Sequence, residues 1–436
     1  MRDFATSDDP AVQRQLDRLA ALSLPEGRFG LETVCELLKR LGNPQDRLPP
    51  VFHVAGTNGK GSTCSFLRAM LELQGHCIHT ATKPHLVRYN ERIRIAGKLV
   101  SDAELAALLQ EVLDTGTDLA PSFFEVTTAA LFLAFSRHPA DACVIEVGLG
   151  GRLDATNVIP APAVCGVASL GIDHEAFLLR PEAGVPTDPL TRIAFEKASI
   201  AKPGAALVTQ GYPEAAAAEV ARVAALHGAQ LVMRGRDWWA EVRGEAIFYR
   251  DRHGELTLPL PQLPGAHQAD NAALAVAMLR HQSAVAISPE AMAAGIRAAR
   301  WPARLQKLGE GPLTALVPGR EVWLDGGHNP DAGLALGRHF ADHRPVHLII
   351  GMLANKDPGA ILRPLAGKLA SLSVVPAPGH EAHRLEDFAP FSNLPVRAFA
   401  TVPEALSALP DGDDVLIAGS LYLAGEVLRL NAELPD

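Results

Sequence analysis

The sequence is poor in cysteine, has no long apolar run and carries no excess of positive charge. Its five cysteines are scattered and form no CxxC pair, which argues against a disulfide framework or a cysteine-rich metal site and fits a reducing compartment. No stretch approaches the roughly 18–20 consecutive apolar residues of a membrane-spanning helix. The polar, acidic start of the chain lacks the apolar core of a signal peptide. These absences predict a cytoplasmic protein with no membrane segment.

Charge and length narrow the class of protein further. The chain has 40 basic and 49 acidic residues, and its net charge of −9 argues against a broad nucleic-acid or anionic-membrane interface. Hydrophobic residues make up 48% of the chain, which is typical of a globular protein and excludes intrinsic disorder. A length of 436 residues exceeds what one hydrophobic core usually supports. We therefore expect two or three domains. A monomer is the default expectation for the oligomeric state.

Short β-branched runs alternate with longer helical patterns, which predicts an α/β fold. The predicted strands lie near residues 51–55, 77–82, 142–147, 164–169 and 206–210. The helices between them are predicted at residues 62–74, 101–113, 126–135 and 214–227. This spacing predicts an N-terminal, P-loop-type, mostly parallel sheet with helices on both faces, over residues 1–300. Residues 238–260 predict a small antiparallel patch within it.

A second alternation of strands and helices begins after residue 300, where Trp301-Pro302 interrupts the pattern. Its predicted strands lie near residues 322–324, 347–351, 372–376 and 415–419. The pattern predicts a smaller C-terminal, Rossmann-like α/β domain over residues 301–436, which is long enough for a core of its own.

The strongest motif follows the first predicted strand and reads Gly56-Thr57-Asn58-Gly59-Lys60-Gly61-Ser62. Its glycines let backbone N–H groups face a phosphate, and the start of the following helix favours negative charge. Lys60 would reach the terminal phosphates of ATP, and Ser62 would contact phosphate or Mg²⁺. The alternative is a generic strand-to-helix turn, in which Gly-Lys-Gly-Ser is uncommon. The loop is shorter than the standard P-loop, because only Thr57 and Asn58 separate Gly56 from the Gly-Lys pair.

This short loop resembles the ATP loop of the Mur-type amide ligases, specifically the folylpolyglutamate synthase/dihydrofolate synthase family. Further motifs in the same order extend the resemblance over nearly the whole chain, at residues 84–93, 145–157, 173–174, 196–198, 301–305, 325–330 and 419–422. The resemblance implies an ATP-dependent ligase that adds L-glutamate to dihydropteroate and to reduced folates through an acyl phosphate. Two alternatives stay open: a ligase of peptidoglycan precursors, and a catalytically impaired nucleotide-binding relative.

Phosphoryl transfer needs hard oxygen ligands for Mg²⁺ near the phosphate loop. Glu146 is the leading candidate, because a carboxylate in an apolar strand needs a partner and a glycine-rich turn follows it. A structural salt bridge is its alternative role. The resemblance implies two Mg²⁺ ions, the first held by Glu146 and the second by His174. It also implies that Lys197 is carbamylated by CO₂ and becomes an anionic oxygen ligand, although a helical Glu-Lys pair is ordinarily a solvated surface.

The glycine-rich turn at residues 148–151 also invites a dinucleotide-binding interpretation. Leu153 occupies the position of the third glycine in that fingerprint, and no clear acidic residue follows about 20 positions later at the end of a second strand. We therefore expect neither NAD nor FAD.

The resemblance also implies roles for the residues from the last helix of the first domain onward. Asn271 would contact the nucleotide, or else form a helix-start hydrogen bond. Arg304 would reach the ATP phosphates across the gap between the domains, where a guanidinium suits the developing charge; its alternative is an interdomain salt bridge. Asp325 would lie at the nucleotide and His328 beside the incoming glutamate, with Ser420 assisting there.

The pterin side of the site depends almost entirely on the resemblance. The matching stretches are Arg28-Phe29-Gly30, Ser122-Phe123-Phe124-Glu125 and Leu153-Asp154-Ala155. Aromatic rings that stack on a planar ligand, and carboxylates that accept its amino hydrogens, suit a pterin. The alternative is an aromatic core pair next to a carboxylate with its own partners.

Two features depart from the family pattern. Lys83 stands where the family usually has a serine that ligates the first Mg²⁺, and an ammonium has no lone pair to offer a metal. We expect an active enzyme with an altered first-metal site and a weaker dependence on Mg²⁺. The segment at residues 178–188, between His174 and Lys197, is longer than the family pattern, and the sequence offers no reason for it.

Overall fold

Two units make up the chain in its computed structural model, which describes residues 6–22 and 30–435. The first unit runs to Gln262 and includes Gln268–Arg300, and the second comprises Leu263–His267 and the chain from Trp301 onward. No helix among these residues is long and apolar enough to cross a membrane.

An eight-stranded sheet forms the centre of the first unit. Its strands are β1 (Val51–Ala55), β2 (Ile78–Ala81), β3 (Ile93–Ile95), β4 (Lys98–Leu99), β5 (Ala142–Glu146), β6 (Val164–Val167), β7 (Ala206–Thr209) and β8 (Gln230–Met233), in the spatial order β4-β3-β2-β5-β1-β6-β7-β8. Neighbouring strands run parallel from β2 through β5, β1, β6 and β7 to β8. Strands β3 and β4 form an antiparallel edge next to β2. The predicted, mostly parallel sheet is thus confirmed.

The α-helices of this unit within residues 6–22 and 30–300 are α1 (Pro10–Ala20), α2 (Glu32–Arg40), α3 (Lys60–Leu73), α4 (Asp102–Thr115), α5 (Phe123–Arg137), α6 (Glu175–Leu178), α7 (Pro189–Ala198), α8 (Glu214–Leu226), α9 (His267–Arg280) and α10 (Pro289–Ala298). Helices α1, α2, α4 and α5 pack with Cys143 and Ile145 on one face of the sheet. Met278 of α9 lies on the other face, where a β-carbon on Gly166 would come within 2.3 Å of its sulfur. This close approach requires glycine in β6. Helices cover both faces, as the alternating pattern predicts.

A separate antiparallel sheet contains β9 (Trp238–Arg243), β10 (Ala246–Asp251) and β11 (Gly254–Pro259), which confirms the predicted patch.

The second unit has a six-stranded sheet in the order β12-β13-β17-β14-β15-β16. Its strands are β12 (Gln306–Lys307), β13 (Val322–Leu324), β14 (Val346–Ile350), β15 (Leu369–Val374), β16 (Val396–Ala398) and β17 (Val415–Ala418), all parallel except β12. The accompanying helices are α11 (Pro330–His339), α12 (Gly359–Leu362), α13 (Leu385–Phe388), α14 (Val402–Ser407) and α15 (Leu421–Leu430). This smaller α/β sheet is the second predicted sheet.

Candidate active site

The phosphate loop connects β1 to α3, and its glycines are required by close contacts. Gly56 and Gly59 have φ values of 152° and 84°. A β-carbon would lie 2.9 Å from the Ala168 side chain at Gly56, and 2.3 Å from Asn271 Oδ1 at Gly59. The first N–H groups of α3 have no side-chain cap among the described residues. The loop therefore offers bare backbone donors at a helix start, which is how proteins bind phosphate.

The segment after β6 holds this loop in shape. Thr57 donates its backbone N–H to Ser169 O at 2.7 Å, and its hydroxyl bonds both the carbonyl and the N–H of Gly171, at 2.8 and 3.0 Å. The Ser169 hydroxyl donates to Asn58 O at 3.1 Å. These bonds fix the loop before any nucleotide arrives.

Lys60 begins α3, and its ammonium lies over the loop. It donates to Gly56 O at 2.9 Å and to Thr57 O at 3.1 Å. A solvent-open cavity lies beside it at the carboxyl ends of β1 and β5, and its walls are formed by Gly56, Thr57, Lys60, Val147, Gly148, Leu149, Gly150, Asp173, His174, Leu178 and Lys197. Three predicted site residues from separate segments, Lys60, His174 and Lys197, thus converge on one cavity.

Lys197 is only 4% exposed, on the last turn of α7. Burial and then the charge of Lys60 lower its pKa to about 7, against the opposing effect of Asp173, Asp154 and Glu196. The backbone of α7 packs so closely on Gly151 that a β-carbon there would lie 2.5 Å from Glu196 O. The lowered pKa favours the neutral amine, which is the form that can react with CO₂.

Glu146 ends β5 and is 3% exposed. Its Oε2 accepts the backbone N–H of Lys83 at 3.0 Å. Among the described residues no three histidine, cysteine or acidic side chains converge as a preformed metal site. Mg²⁺ at nucleotides, however, usually takes only one or two protein oxygens, together with phosphate oxygens and waters. The donors present, which are Glu146, Asp173, the buried Ser62 hydroxyl and His174, fit that kind of ion.

In the predicted stretch Leu153-Asp154-Ala155, the Asp154 carboxylate is held by local hydrogen bonds. Asp154 accepts the N–H groups of Gly148 and Leu149 through Oδ2, at 3.0 and 2.9 Å, and bonds the Thr156 N–H and hydroxyl through Oδ1. Burial alone would raise the pKa of Asp154, but the charge of Lys83 and these bonds hold it below its usual value. Leu153 and Ala155 flank this ionised carboxylate.

The predicted aromatic stretch lies in the first turn of α5. Ser122 caps the helix, and Glu125 bonds back to the Ser122 N–H at 2.7 Å, so both have structural roles as a capping box. The Phe123 and Phe124 rings meet edge to face at 5.4 Å, and Phe124 is 37% exposed. The Arg92 guanidinium, which sequence reasoning did not single out, lies 5.5 Å from the Phe123 ring. The exposed Phe124 ring offers a face on which a planar ligand can stack.

Two predicted residues of the pterin side, Arg28 and Phe29, lie outside the described residues. Gly30 is described just before α2, where a β-carbon would collide with the Glu32 carboxylate. The substrate roles of all these residues stay predictions.

In the second unit, the predicted residues gather at the carboxyl ends of two neighbouring strands. Asp325 follows β13 and accepts the N–H groups of Leu305 at 2.8 Å and Gly327 at 2.7 Å. The first bond fixes the turn that carries Arg304, whose Nη1 donates to Ala303 O at 3.0 Å. His328 lies just beyond, with Nδ1 3.4 Å from Gly326 O. Ser420 follows β17 and caps α15 by accepting the Leu423 N–H at 3.1 Å.

The residues missed by sequence reasoning are chiefly Asp173, Leu178 and Arg92. Asp173 directly precedes His174 in the sequence, and this adjacency was the available signal. Leu178 lines the cavity and packs on Gly150, where a β-carbon would lie 2.9 Å from the Leu178 side chain. No local sequence pattern reveals this contact.

Comparison with known proteins gives a consistent result. The chain is 34% identical to the dihydrofolate synthase/folylpolyglutamate synthase of Escherichia coli (strain K12), over 92% of this chain and 91% of that protein. The solved structure of E. coli FolC in complex with DHPP and ADP superposes with a TM-score of 0.83 at 31% identity, over 97% of both chains. A bifunctional folylpolyglutamate synthase/dihydrofolate synthase structure with Mn, AMPPNP and L-glutamate bound superposes with a TM-score of 0.82 at 31% identity, over 98% of this chain and 99% of that one. No family model matches the chain.

Proposed function

The chain belongs to the folylpolyglutamate synthase/dihydrofolate synthase family, and from that premise we propose how its own residues carry the reaction. The protein is an ATP-dependent ligase that adds L-glutamate to dihydropteroate and to reduced folates. The observation that supports this function most strongly is the convergence of Lys60, His174 and the neutralisable Lys197 on one cavity beside the phosphate loop.

The first step is transfer of the terminal phosphoryl group of ATP. An oxygen of the substrate carboxylate attacks the γ-phosphorus, the bond to the β–γ bridging oxygen breaks, and ADP leaves. The loop from Gly56 to Ser62 binds the phosphates through its N–H groups, and Lys60 offsets their charge. Two Mg²⁺ ions, with Glu146, His174, Ser62 and a carbamylated Lys197 as ligands, would supply further charge neutralisation. We assign this nucleotide chemistry, with Asn271, to residues 1–300.

The second step is amide formation. The amine of glutamate attacks the acyl carbon, inorganic phosphate leaves with the bonding electrons, and the amine proton passes to solvent. We assign this step to residues 301–436, where His328 and Ser420 orient glutamate and Arg304 and Asp325 contact the nucleotide. Exclusion of water protects the acyl phosphate from hydrolysis. On the pterin side we propose Arg28, Phe29, Gly30, Ser122, Phe123, Phe124, Glu125, Leu153, Asp154 and Ala155.

An ADP-release assay tests this assignment. With ATP, Mg²⁺ and L-glutamate present, we expect ADP release to depend on dihydropteroate or a reduced folate. A UDP-muramyl substrate should give none. ADP release with the UDP-muramyl compound alone would indicate a peptidoglycan ligase, and release with neither would indicate an impaired nucleotide-binding relative.

We also propose that the protein is a cytoplasmic monomer without a nucleic-acid or membrane partner. All five cysteines are free, as in a reducing compartment, and the net charge is −9. Light scattering coupled to size-exclusion chromatography tests the monomer, for which one chain of 46.3 kDa is expected.

A further inference from the structure

Lys83 carries a partly buried ammonium that makes no hydrogen bond or ion pair in the part of the chain that the structure describes. Its backbone N–H is bound to Glu146 Oε2, so the start of its side chain is fixed. From there the side chain runs along Gly148: a β-carbon on Gly148 would lie 3.2 Å from Lys83 Cδ and 3.5 Å from Nζ.

Asp154 and Glu146 are the nearby carboxylates, yet neither forms an ion pair with this ammonium. A β-carbon on Gly148 would also lie 3.2 Å from Asp154 Oδ2, so the Asp154 carboxylate and the Lys83 ammonium border the same glycine. Both Asp154 oxygens, however, already accept bonds from Gly148, Leu149 and Thr156. Asp154 therefore attracts the cation into place without using its N–H donors.

The neighbouring cation Arg92 already has partners. Its Nε donates to His85 Nδ1 at 2.9 Å, and its guanidinium lies 5.0 Å from the Tyr89 ring. Lys83 thus provides a cation with open donors next to Gly148. Because an ammonium with open donors forms strong charge-assisted hydrogen bonds with anions, this arrangement indicates an anionic ligand.

The position of Gly148 identifies that anion. Gly148 also lines the cavity that contains Lys60 and Lys197, where the ATP phosphates are proposed to bind. A carboxylate about to be phosphorylated must lie about 3–3.5 Å from the terminal phosphorus. Lys83 Nζ lies next to Gly148, which lines the cavity where the phosphates are proposed to bind.

We propose that Lys83 Nζ binds the carboxylate of the pteroate or folate substrate that becomes phosphorylated. This inference rests on the proposed function. The ammonium pairs with the carboxylate before the reaction and stays beside the acyl phosphate afterwards, which makes Lys83 a catalytic residue.

Calorimetric titration tests the proposal with two ligands, dihydropteroate and its carboxamide analogue, in the presence of ADP and Mg²⁺. The amide keeps the shape and removes the charge. Wild type should bind the carboxylate about 10- to 150-fold more tightly, the range expected for a charge-assisted hydrogen bond. Lys83→Met should lose this preference while its affinity for the carboxamide stays unchanged. Its Tm should change little, because the ammonium makes no hydrogen bond or ion pair that the substitution would remove.

The matched control is Lys98→Met, which removes an exposed lysine of the same sheet and should leave the preference intact. Retention of the preference in Lys83→Met would overturn the proposal. So would a shifted Mg²⁺ midpoint for ADP release with the preference unchanged, because the ammonium would then act at the metal. If wild type bound neither pterin compound, the proposed function itself would fail, and this outcome is distinct from both.

Discussion

At the scale of single residues, the Lys60 ammonium is held by two carbonyl oxygens of its own loop, those of Gly56 and Thr57. Incoming phosphates would replace these neutral partners with stronger, charge-assisted ones. We expect Lys60→Ala to lower kcat for ADP release by at least about a hundredfold, as loss of a preorganised charge contact does. The fold should persist, because the backbone bonds of Thr57 remain. Lys39→Ala, at an exposed lysine, is the control. A Lys60→Ala rate within a factor of two of wild type would contradict the phosphate-loop assignment.

Lys197 gives a second prediction, this time on pH and CO₂. With a pKa of about 7, its neutral fraction rises steeply as the pH rises through 7, whereas an ordinary lysine is under ~0.1% neutral there. We therefore expect carbamate formation, and with it activity, to increase with pH across this range and to fall when CO₂ is removed. Bicarbonate should restore the activity.

Labelled bicarbonate measures this modification directly. A ¹³C carbamate signal should appear in wild type, disappear on acidification and be absent from Lys197→Arg. Activity that is indifferent to CO₂, together with no carbamate signal, would show that Lys197 acts as an unmodified amine.

Lys197 also shows where local sequence rules stop. A Glu-Lys pair on a helix is ordinarily solvated, yet both Glu196 and Lys197 are buried. The reason is non-local: Gly151, from a turn far away in the sequence, lets the backbone of α7 approach closely. The phosphate loop from Gly56 to Ser62 could be predicted because its functional residues are consecutive in the sequence. The direction of the Lys83 side chain, and the bonds that occupy Asp154, depend on tertiary packing and were not readable.

At the scale of elements, an ion-pair network anchors the segment between α6 and α7. Glu182 lies in that segment and pairs with Arg152 of the glycine-rich turn at 2.6 Å and with Arg192 of α7 at 2.9 Å. Glu196 pairs with the same two arginines, at 3.1 and 3.0 Å. The network joins the turn that lines the cavity to the helix that carries Lys197, and the segment also contributes Leu178 to the cavity wall.

We predict that Glu182→Gln loosens this segment. Hydrogen exchange at residues 178–188 should accelerate, and KM for ATP should rise about threefold, since a partly exposed ion pair contributes at most ~1 kcal/mol. For the same reason Tm should change little, because the Glu182 side chain is 42% exposed.

The control for this network is Glu241→Gln, which breaks the exposed pair with Arg243 on the antiparallel sheet. It should leave exchange at residues 178–188 and KM unchanged. Unaltered exchange in Glu182→Gln would mean that the segment is held by other contacts.

Element boundaries follow the same division between local and non-local causes. The buried strands β1, β5 and β6 were predictable from apolar runs. The β3–β4 hairpin was missed because Arg94 and Lys98 interrupt the apolar pattern of two very short strands. Helix α5 begins at Phe123 instead of residue 126, because the Ser122–Glu125 capping box starts it earlier than the apolar periodicity indicates.

At the scale of the whole molecule, the two chemical steps are assigned to different units. Lys60, Glu146, His174 and Lys197 belong to the first unit, and Asp325, His328 and Ser420 belong to the second. If this assignment is right, acyl-phosphate formation and amide formation are separable by mutation. A substitution at a residue proposed to orient the glutamate substrate should block amide formation and leave acyl-phosphate formation intact.

His328→Ala provides the last prediction. Its Nδ1 lies 3.4 Å from Gly326 O, and the Tm of the variant checks that its fold is intact. We expect KM for glutamate to rise and kcat for amide formation to fall by about 10²- to 10³-fold, as for loss of one positioned polar group. In the absence of glutamate, positional isotope exchange between the bridge and non-bridge oxygens of ATP should continue with dihydropteroate, because it reports reversible acyl-phosphate formation. Lys60→Ala should abolish that exchange. Equal loss of exchange in both variants would show that His328 serves the phosphoryl step as well, and the division of labour between the units would be wrong.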